Sequence, residues 1–511
     1  ISLQLCPRDG RVVRPISGGS AGTIDLGAAS VPFRSENTSG TLALEDAVLD
    51  WAATKTAKVD LKGSRMSLPM EIGDKTLTIA SNAPAISVQT TSPVSLSAAM
   101  GTSEFGGSLV PADISLESLS LTSTLPASGV RGRAEAKQVT VKDRGDDPLY
   151  VPLMGDLTAE FRDGVMQLTG PVTTRPAGRK IADVTLDLDL LDLNGTASVS
   201  TPDLTFEPRR FQPTALSERV RGFLSNARGT LRGGADFDIV SGKTSGTGWV
   251  EVESFGFDTL RLGAVNNVSG RIAFEDIMSL TTGPGQQIRL GAINPGIELT
   301  NGIIKFQLTN GREALIEDAR WPFAGGELYT GGSTWTVAGT RDVIQITTQS
   351  LELTEIVKAF SLPDIKANGT VSGTFPVEIV GPNAFIRNAR LTADSEGGTI
   401  AYTGEVGDAA AASDERVGMA FQALKDFRFS VLELGADGNL SGDILITLRL
   451  VGKSPEVLNG APFAFNIGID SKLMQLIRTG RSITSSDWLA DVTAEATRSR
   501  TTATDAEVPS E

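Results

Sequence analysis

The 511 residues carry a formal net charge of −15, include no histidine and a single cysteine, Cys6, and are 40% hydrophobic but only 5% aromatic. The apolar content suits a folded chain, while the negative charge opposes binding to nucleic acid and broad adhesion to anionic headgroups. Without histidine the commonest general base and metal ligand are missing, and one cysteine cannot form an internal disulfide or thiolate cluster, so no catalysis, cofactor or metal is expected.

No stretch reaches the roughly 18 uncharged apolar residues of a membrane-spanning helix. Along the chain, short runs alternate apolar and polar residues instead. Val184, Leu186, Leu188 and Leu190 alternate with Thr185, Asp187 and Asp189; Phe237 and Ile239 alternate with Asp236 and Asp238. Val250 and Val252, Ile272 and Phe274, then Ile304, Phe306 and Leu308, and Ile344 and Ile346 follow. The C-terminal part adds Phe375, Val377 and Ile379, then Ile444, Ile446, Leu448 and Leu450, then Phe463, Phe465, Ile467 and Ile469. Period two predicts strands with one dry and one wet face.

Asn194-Gly195, Asn301-Gly302, Asn310-Gly311 and Asp437-Gly438 are predicted as hairpin turns, and many of the 55 glycines as turn or bulge residues. Helix is predicted over Thr214–Leu224 and Leu351–Leu362, with weaker signals at Ser471–Arg478 and Ser485–Arg498. Gly404–Arg416, rich in Ala, Gly and Asp, reads as a mobile loop, and 497–511 as a disordered tail. The absence of βαβ spacing argues against a parallel nucleotide-binding sheet.

The fold class is therefore all-β: a long, twisted antiparallel sheet curled into an open trough, with a few short helices. Roughly 35 strands at about 4.8 Å would give a sheet on the order of 150 Å long, whose apolar face must be covered. Val, Ile and Leu dominate that face, and a wide trough lined by them would leave room for acyl chains, at about 0.8 kcal/mol per buried CH₂. The other reading is a structural or adhesive β-protein whose sheets close as sandwiches without a lumen.

On the trough reading the lining is Leu186, Leu188, Phe237, Ile239, Val250, Val252, Ile272, Phe274, Ile304, Phe306, Leu308, Ile344, Ile346, Phe375, Val377, Ile379, Ile444, Ile446, Leu448, Phe463, Phe465 and Ile467. Trp321-Pro322-Phe323 with Gly325-Gly326 breaks the alternation. Trp321 and Phe323 either plug a bend in the sheet or constrict the groove.

Other motifs read as structure. Gly18-Gly19-Ser20-Ala21-Gly22 has nucleophile-elbow spacing but no histidine to serve it. Ser241-Gly242-Lys243-Thr244 ends like a phosphate loop, yet Phe237 stands where that motif needs glycine, so a hairpin turn is expected. Asp187, Asp189 and Asp192 read as a solvated face, and Arg144-Gly145-Asp146 as a chance triplet in a charged loop.

Gly270 to Gly404 carries a specific resemblance. It runs GRIAFEDI (270–277), QQIRLGAINPGIELTNGIIKFQL (286–308), IEDARWPFAGGEL (316–328), NGTVSGTFPVEIVG (368–381) and IRNARLTADSEGGTIAYTG (386–404). The order of Pro295-Gly296-Ile297, Trp321-Pro322-Phe323, Gly369 to Val377 and Gly397-Gly398 resembles the C-terminal region of the YdbH-type intermembrane phospholipid transport proteins, once labelled a dicarboxylate transport domain. Residues 423–455 also resemble an AsmA-like C-terminal pattern. The similarity covers about 210 to 480, and residues 1–209 share only the strand style.

The resemblance implies a bacterial periplasmic bridge that carries phospholipids between inner and outer membranes and supports outer-membrane integrity. It further implies an inner-membrane anchor preceding the present N-terminus and a small outer-membrane lipoprotein that adds a strand at the C-terminal edge. The dicarboxylate label finds no support, since no basic cluster is evident. The expected organisation is an N-terminal β-region (1–209), a central family-like β-region (210–425), a C-terminal β-region with terminal helices (426–496) and the tail (497–511).

Overall fold

Alternating residues become strand almost wherever they occur, because antiparallel pairing satisfies the backbone while each strand turns one face inward. In a computed structural model of the chain, the described residues lie between 4 and 471. Residues 7–8, 14–19, 35–37, 54, 111, 126–129, 175–177, 260, 296, 338, 360–363, 395–396, 404–414 and 441–442 fall outside them, as do 1–3 and 472–511. The helices predicted near Ser471–Arg478 and Ser485–Arg498, the tail, most of the Gly404–Arg416 loop, and Gly18 and Gly19 therefore lie outside the described residues.

The strands among the described residues belong to one 34-stranded antiparallel sheet. The chain divides into two units. One comprises Ile1–Leu204, Pro213–Val220 and Arg232–Gly248; the other comprises Thr205–Gln212, Arg221–Leu231 and Trp249–Glu511.

In the first unit, Leu26, Ala29, Leu44, Ala47 and Met66 are buried together, with Ile24, Leu49 and Leu61 packed against them. Its turns are held by their own polar side chains. Ser241 and Gly242, both at positive φ, join strands Ser225–Val240 and Lys243–Thr259, as the hairpin prediction required. Asn194 Oδ1 accepts the Ser241 N–H at 2.8 Å, and Lys75 Nζ donates to the Gly242 carbonyl at 2.6 Å. Asp189 and Asp192 accept the backbone N–H groups of Leu191 and Asn194. Leu190 falls past the end of strand Lys180–Asp189 and is exposed rather than part of the inner stripe. Arg144 is tied down by Asp113 Oδ1 at 2.7 Å and the Val110 carbonyl at 2.9 Å, so the Arg-Gly-Asp triplet is not presented as a free loop.

In the second unit the strand ends are dense. At one end Leu351, Leu353, Val371, Phe427, Phe429, Leu432 and Leu450 are buried beside two helices, α1 (Leu353–Ala359) and α2 (Glu415–Leu424), and Ala423 of α2 is fully buried. At the other end Val377, Ile379, Ala384, Leu440 and Ile444 form a buried cluster under Ile297 and Trp335.

Three local predictions change. Thr214–Leu224 holds two short 3₁₀ turns, Pro213–Ala215 and Glu218–Val220, since Gly222 at positive φ stops any helix and a short isolated helix cannot offset its nucleation cost. Leu351 and Glu352 finish strand Arg341–Glu352, and helix starts only at Leu353. Asn301-Gly302 and Asp437-Gly438 lie inside strands Leu299–Thr309 and Phe427–Asn439 rather than at turns.

Candidate functional site

Cross-strand registers arrange the inward side chains in files that run across the strands. In the first unit Ile24 faces Leu49, and the file continues through Leu61, Ile86, Ala98 and Leu121. It then passes through Ala134, Ala159, Leu168, Leu186 and Ala197. Every member is apolar, and all but Ala98 and Ala159 are only half-buried.

A second file crosses the second unit. Leu290 faces Gly302, whose bare Cα is covered by the Trp321 indole. Trp321 faces Leu328, Leu328 faces Thr348, and Thr348 faces Gly373. Leu391, Leu434, Leu448 and Ile467 complete it. Between the two dense ends of the strands, Leu434, Ile446, Leu448, Phe465 and Ile467 are half-buried. An apolar side chain left half-covered inside a sheet is a surface with unused contact capacity.

Each residue predicted to line a trough is buried or half-buried, and none is exposed. Leu186 lies in the first file, with Leu188 beside it opposite Met166. Trp321, Leu448 and Ile467 lie in the second file, and Ile304 flanks it opposite Ile288 and Ala319. Ile344 faces Val377 and Ile346 faces Phe375, both pairs at the buried cluster with Ile379, Ile444 and Ile446. Phe463 stacks on Phe465, which meets Phe427 edge-on at 5.0 Å. Phe306 faces Ile316, Leu308 faces Ala314, and Phe323 faces Gly326. Phe237 and Ile239 are half-buried in the first unit, as are Val250, Val252, Ile272 and Phe274 in the second. Leu168, Leu290, Leu391 and Leu434 were missed. Their files interleave them with alanine and glycine, and which strands face each other is invisible in a one-dimensional pattern.

One pair of charges interrupts the apolar face. Asp342 faces Ile379, on the inward side. It is bonded to Arg261 Nη2, and both side chains are buried. Arg261 belongs to the turn before strand Gly263–Asp276, at the edge where Ile293 meets Leu299. Asp342 lies on the other side of the second file, where Arg341 meets Val380. Their contact, like that of Ile297 with the buried cluster, requires this unit's sheet to curl over its own apolar face.

Among the described residues one further charged side chain is buried, Asp258, whose carboxylate accepts from Asn226 Nδ2 at 3.0 Å. Backbone N–H groups of Gly145 and Leu149 hold the Asp143 carboxyl below the ordinary range, and the Gln138 N–H with Lys137 does the same for Asp156. Among the described residues no group of histidine, cysteine, aspartate and glutamate is placed to hold a metal ion, and no helix is long and apolar enough to cross a membrane.

The profile of a family described as YdbH-like, intermembrane phospholipid transport protein YdbH, matches residues 15–487. The chain belongs to the YdbH-like family. No curated protein and no solved structure matches it. The YdbH-like match takes in residues 15–209 as well, where the sequence alone showed only the strand style. The YdbH-like proteins are a phospholipid transport family rather than an enzyme family.

Proposed function

We propose that phospholipid acyl chains lie along the apolar files of this chain and that it passes them between the inner and outer membranes of a bacterial envelope, supporting the outer membrane. Headgroups stay at the wet margin of the sheet, and no residue performs chemistry. The observation that carries this reading is the first file, eleven facing residues without one polar side chain and mostly half-buried. Covering such a surface with hydrocarbon gains about 0.8 kcal/mol per CH₂, and the transport activity of the YdbH-like family supplies the cargo. The remaining apolar positions, from Phe237 to Phe465, extend the lining.

An inner-membrane anchor and an outer-membrane lipoprotein partner belong to the same reading. Strand Pro462–Ser471 pairs with Ile444–Lys453 and with no other strand among the described residues, so its second edge suits strand addition by that lipoprotein.

Native mass spectrometry of the purified chain, followed by lipid extraction, tests the proposal. Several co-purifying phospholipids per chain are expected. A lipid-free chain that also refuses labelled phospholipid would instead favour a closed structural protein, to which the dense clusters around Leu26 and Val377 would then belong.

A further inference from the structure

Arg261 is the one basic side chain that is buried among the described residues, at 8% exposure. Its Nη2 is bonded to Asp342, its Nη1 donates to the Thr336 carbonyl at 3.2 Å, and its guanidinium lies 3.9 Å from the centre of the Trp335 ring. Asp342 also accepts the Thr336 N–H at 3.1 Å. The Arg261 Nε–H is buried and has no hydrogen-bond partner among the described residues. Trp335, and Ile344 two residues along the strand from Asp342, pack on the buried apolar cluster.

Stability does not account for this arrangement. Desolvating two charges costs as much as their attraction returns, and apolar residues of similar volume commonly do as well or better. An unpaired N–H on a buried cation adds to the cost. A guanidinium does, however, present five donors in a planar fork matched to phosphate oxygens.

We propose that Arg261 binds the phosphate of a phospholipid headgroup whose acyl chains occupy the adjoining apolar face, and that Asp342 holds the guanidinium while the face is empty. The assignment rests on the lipid-carrying reading above. It adds a headgroup requirement to a surface that would otherwise accept any hydrocarbon.

The test compares uptake of labelled phosphatidylglycerol and labelled diacylglycerol from vesicles by the delipidated full chain. The double variant Arg261→Met/Asp342→Leu removes both charges at once, so no unpaired buried charge is left to unfold it. It is expected to lose roughly tenfold in phosphatidylglycerol uptake, the scale of one lost charge-assisted hydrogen bond, while diacylglycerol uptake holds. A double variant that keeps the wild-type preference for phosphatidylglycerol overturns the assignment and leaves the lipid-carrying reading standing. A wild type that takes up neither lipid overturns both. Thermal stabilisation of the wild type, but not of the double variant, by inorganic phosphate without any lipid preference gives the site to free phosphate and overturns the headgroup assignment.

Discussion

Gly302 lies directly under the indole of Trp321, so that a Cβ built at position 302 would stand 2.7 Å from both Cδ1 and Cε2 of the ring. Real Cβ atoms do not approach that closely, and Trp321 is 8% exposed with little room to retreat. Gly302→Ala is therefore expected to destabilise the second unit by about 1–3 kcal/mol through overpacking. In the double variant Gly302→Ala/Trp321→Leu the two costs should fail to add, because the clash needs both side chains. Urea midpoints of the four chains measure this, and strictly additive losses would contradict the contact.

The same contact shows what a sequence can and cannot convey. Asn301-Gly302 was read as a turn because Asn-Gly tolerates positive φ, and Asn301 does adopt a φ of 56°. A strand residue at positive φ makes the same backbone demand, and the register from Leu290–Gly302 to Ala292–Thr300 carries the strand straight through the pair. Asp437-Gly438 was misread for the same reason, with Gly438 at a φ of 133° within its strand. The inward stripes were legible, since period two needs only neighbouring residues. The pairing of stripes into files was not, nor was the Arg261–Asp342 contact, because each depends on residues far apart in the chain. Helix α2 was missed although Asp414, an N-cap residue type, directly precedes Glu415 in the sequence, because Gly404–Arg416 reads as a loop by composition.

Alternation makes a sharp functional contrast between two adjacent residues. Ile446 points inward and is half-buried, whereas Thr447 points outward and is exposed. Ile446→Asp places a charge where hydrocarbon is proposed to lie and is expected to cut uptake of labelled phospholipid at least tenfold, given the cost of an unpaired charge in an apolar site. Thr447→Asp should leave uptake unchanged. Phe306→Asp is the poorer probe, because Phe306 is buried at 8% exposure and its loss would also damage folding. Equal uptake by the two aspartate variants at positions 446 and 447 would remove the apolar face from the transport path.

Acid should weaken the first unit through the loop after Lys142. Asp143 accepts the N–H groups of Gly145 and Leu149, each at 2.8 Å, and these bonds, helped by the charge of Arg219, hold its carboxyl below the ordinary range. A carboxyl depressed in the folded state stabilises it at pH values above the ordinary carboxylate pKa of about 4, and that contribution is lost as pH falls further. Asp143→Asn, which can accept only one of the two bonds at its amide oxygen, should lower the urea midpoint at pH 7. The gap to wild type should narrow as pH falls below about 4, and a gap independent of pH would contradict this account.

The segment between strands Gly195–Phe206 and Ser225–Val240 is anchored by three aromatic rings. Phe206 stacks on Phe211 at 5.1 Å and meets Phe255 edge-on at 5.7 Å, and all three are buried. The Gln212 side chain adds a reciprocal clamp, donating to the Ala227 carbonyl and accepting the Ala227 N–H, both at 2.8 Å. Phe211→Ala removes the ring that sits in the connecting segment itself, at an expected cost of about 3–5 kcal/mol. The cost falls on a local opening, because the strands on either side keep their own ladders. Arg209 and Arg210, exposed beside it, then become trypsin sites whenever the segment lifts. Where cleavage follows the open population, it should accelerate by roughly a hundredfold or more. Phe211→Leu, which keeps most of the apolar contact, should show a much smaller rise. Unchanged cleavage in Phe211→Ala would mean that the Gln212 clamp alone holds the segment down.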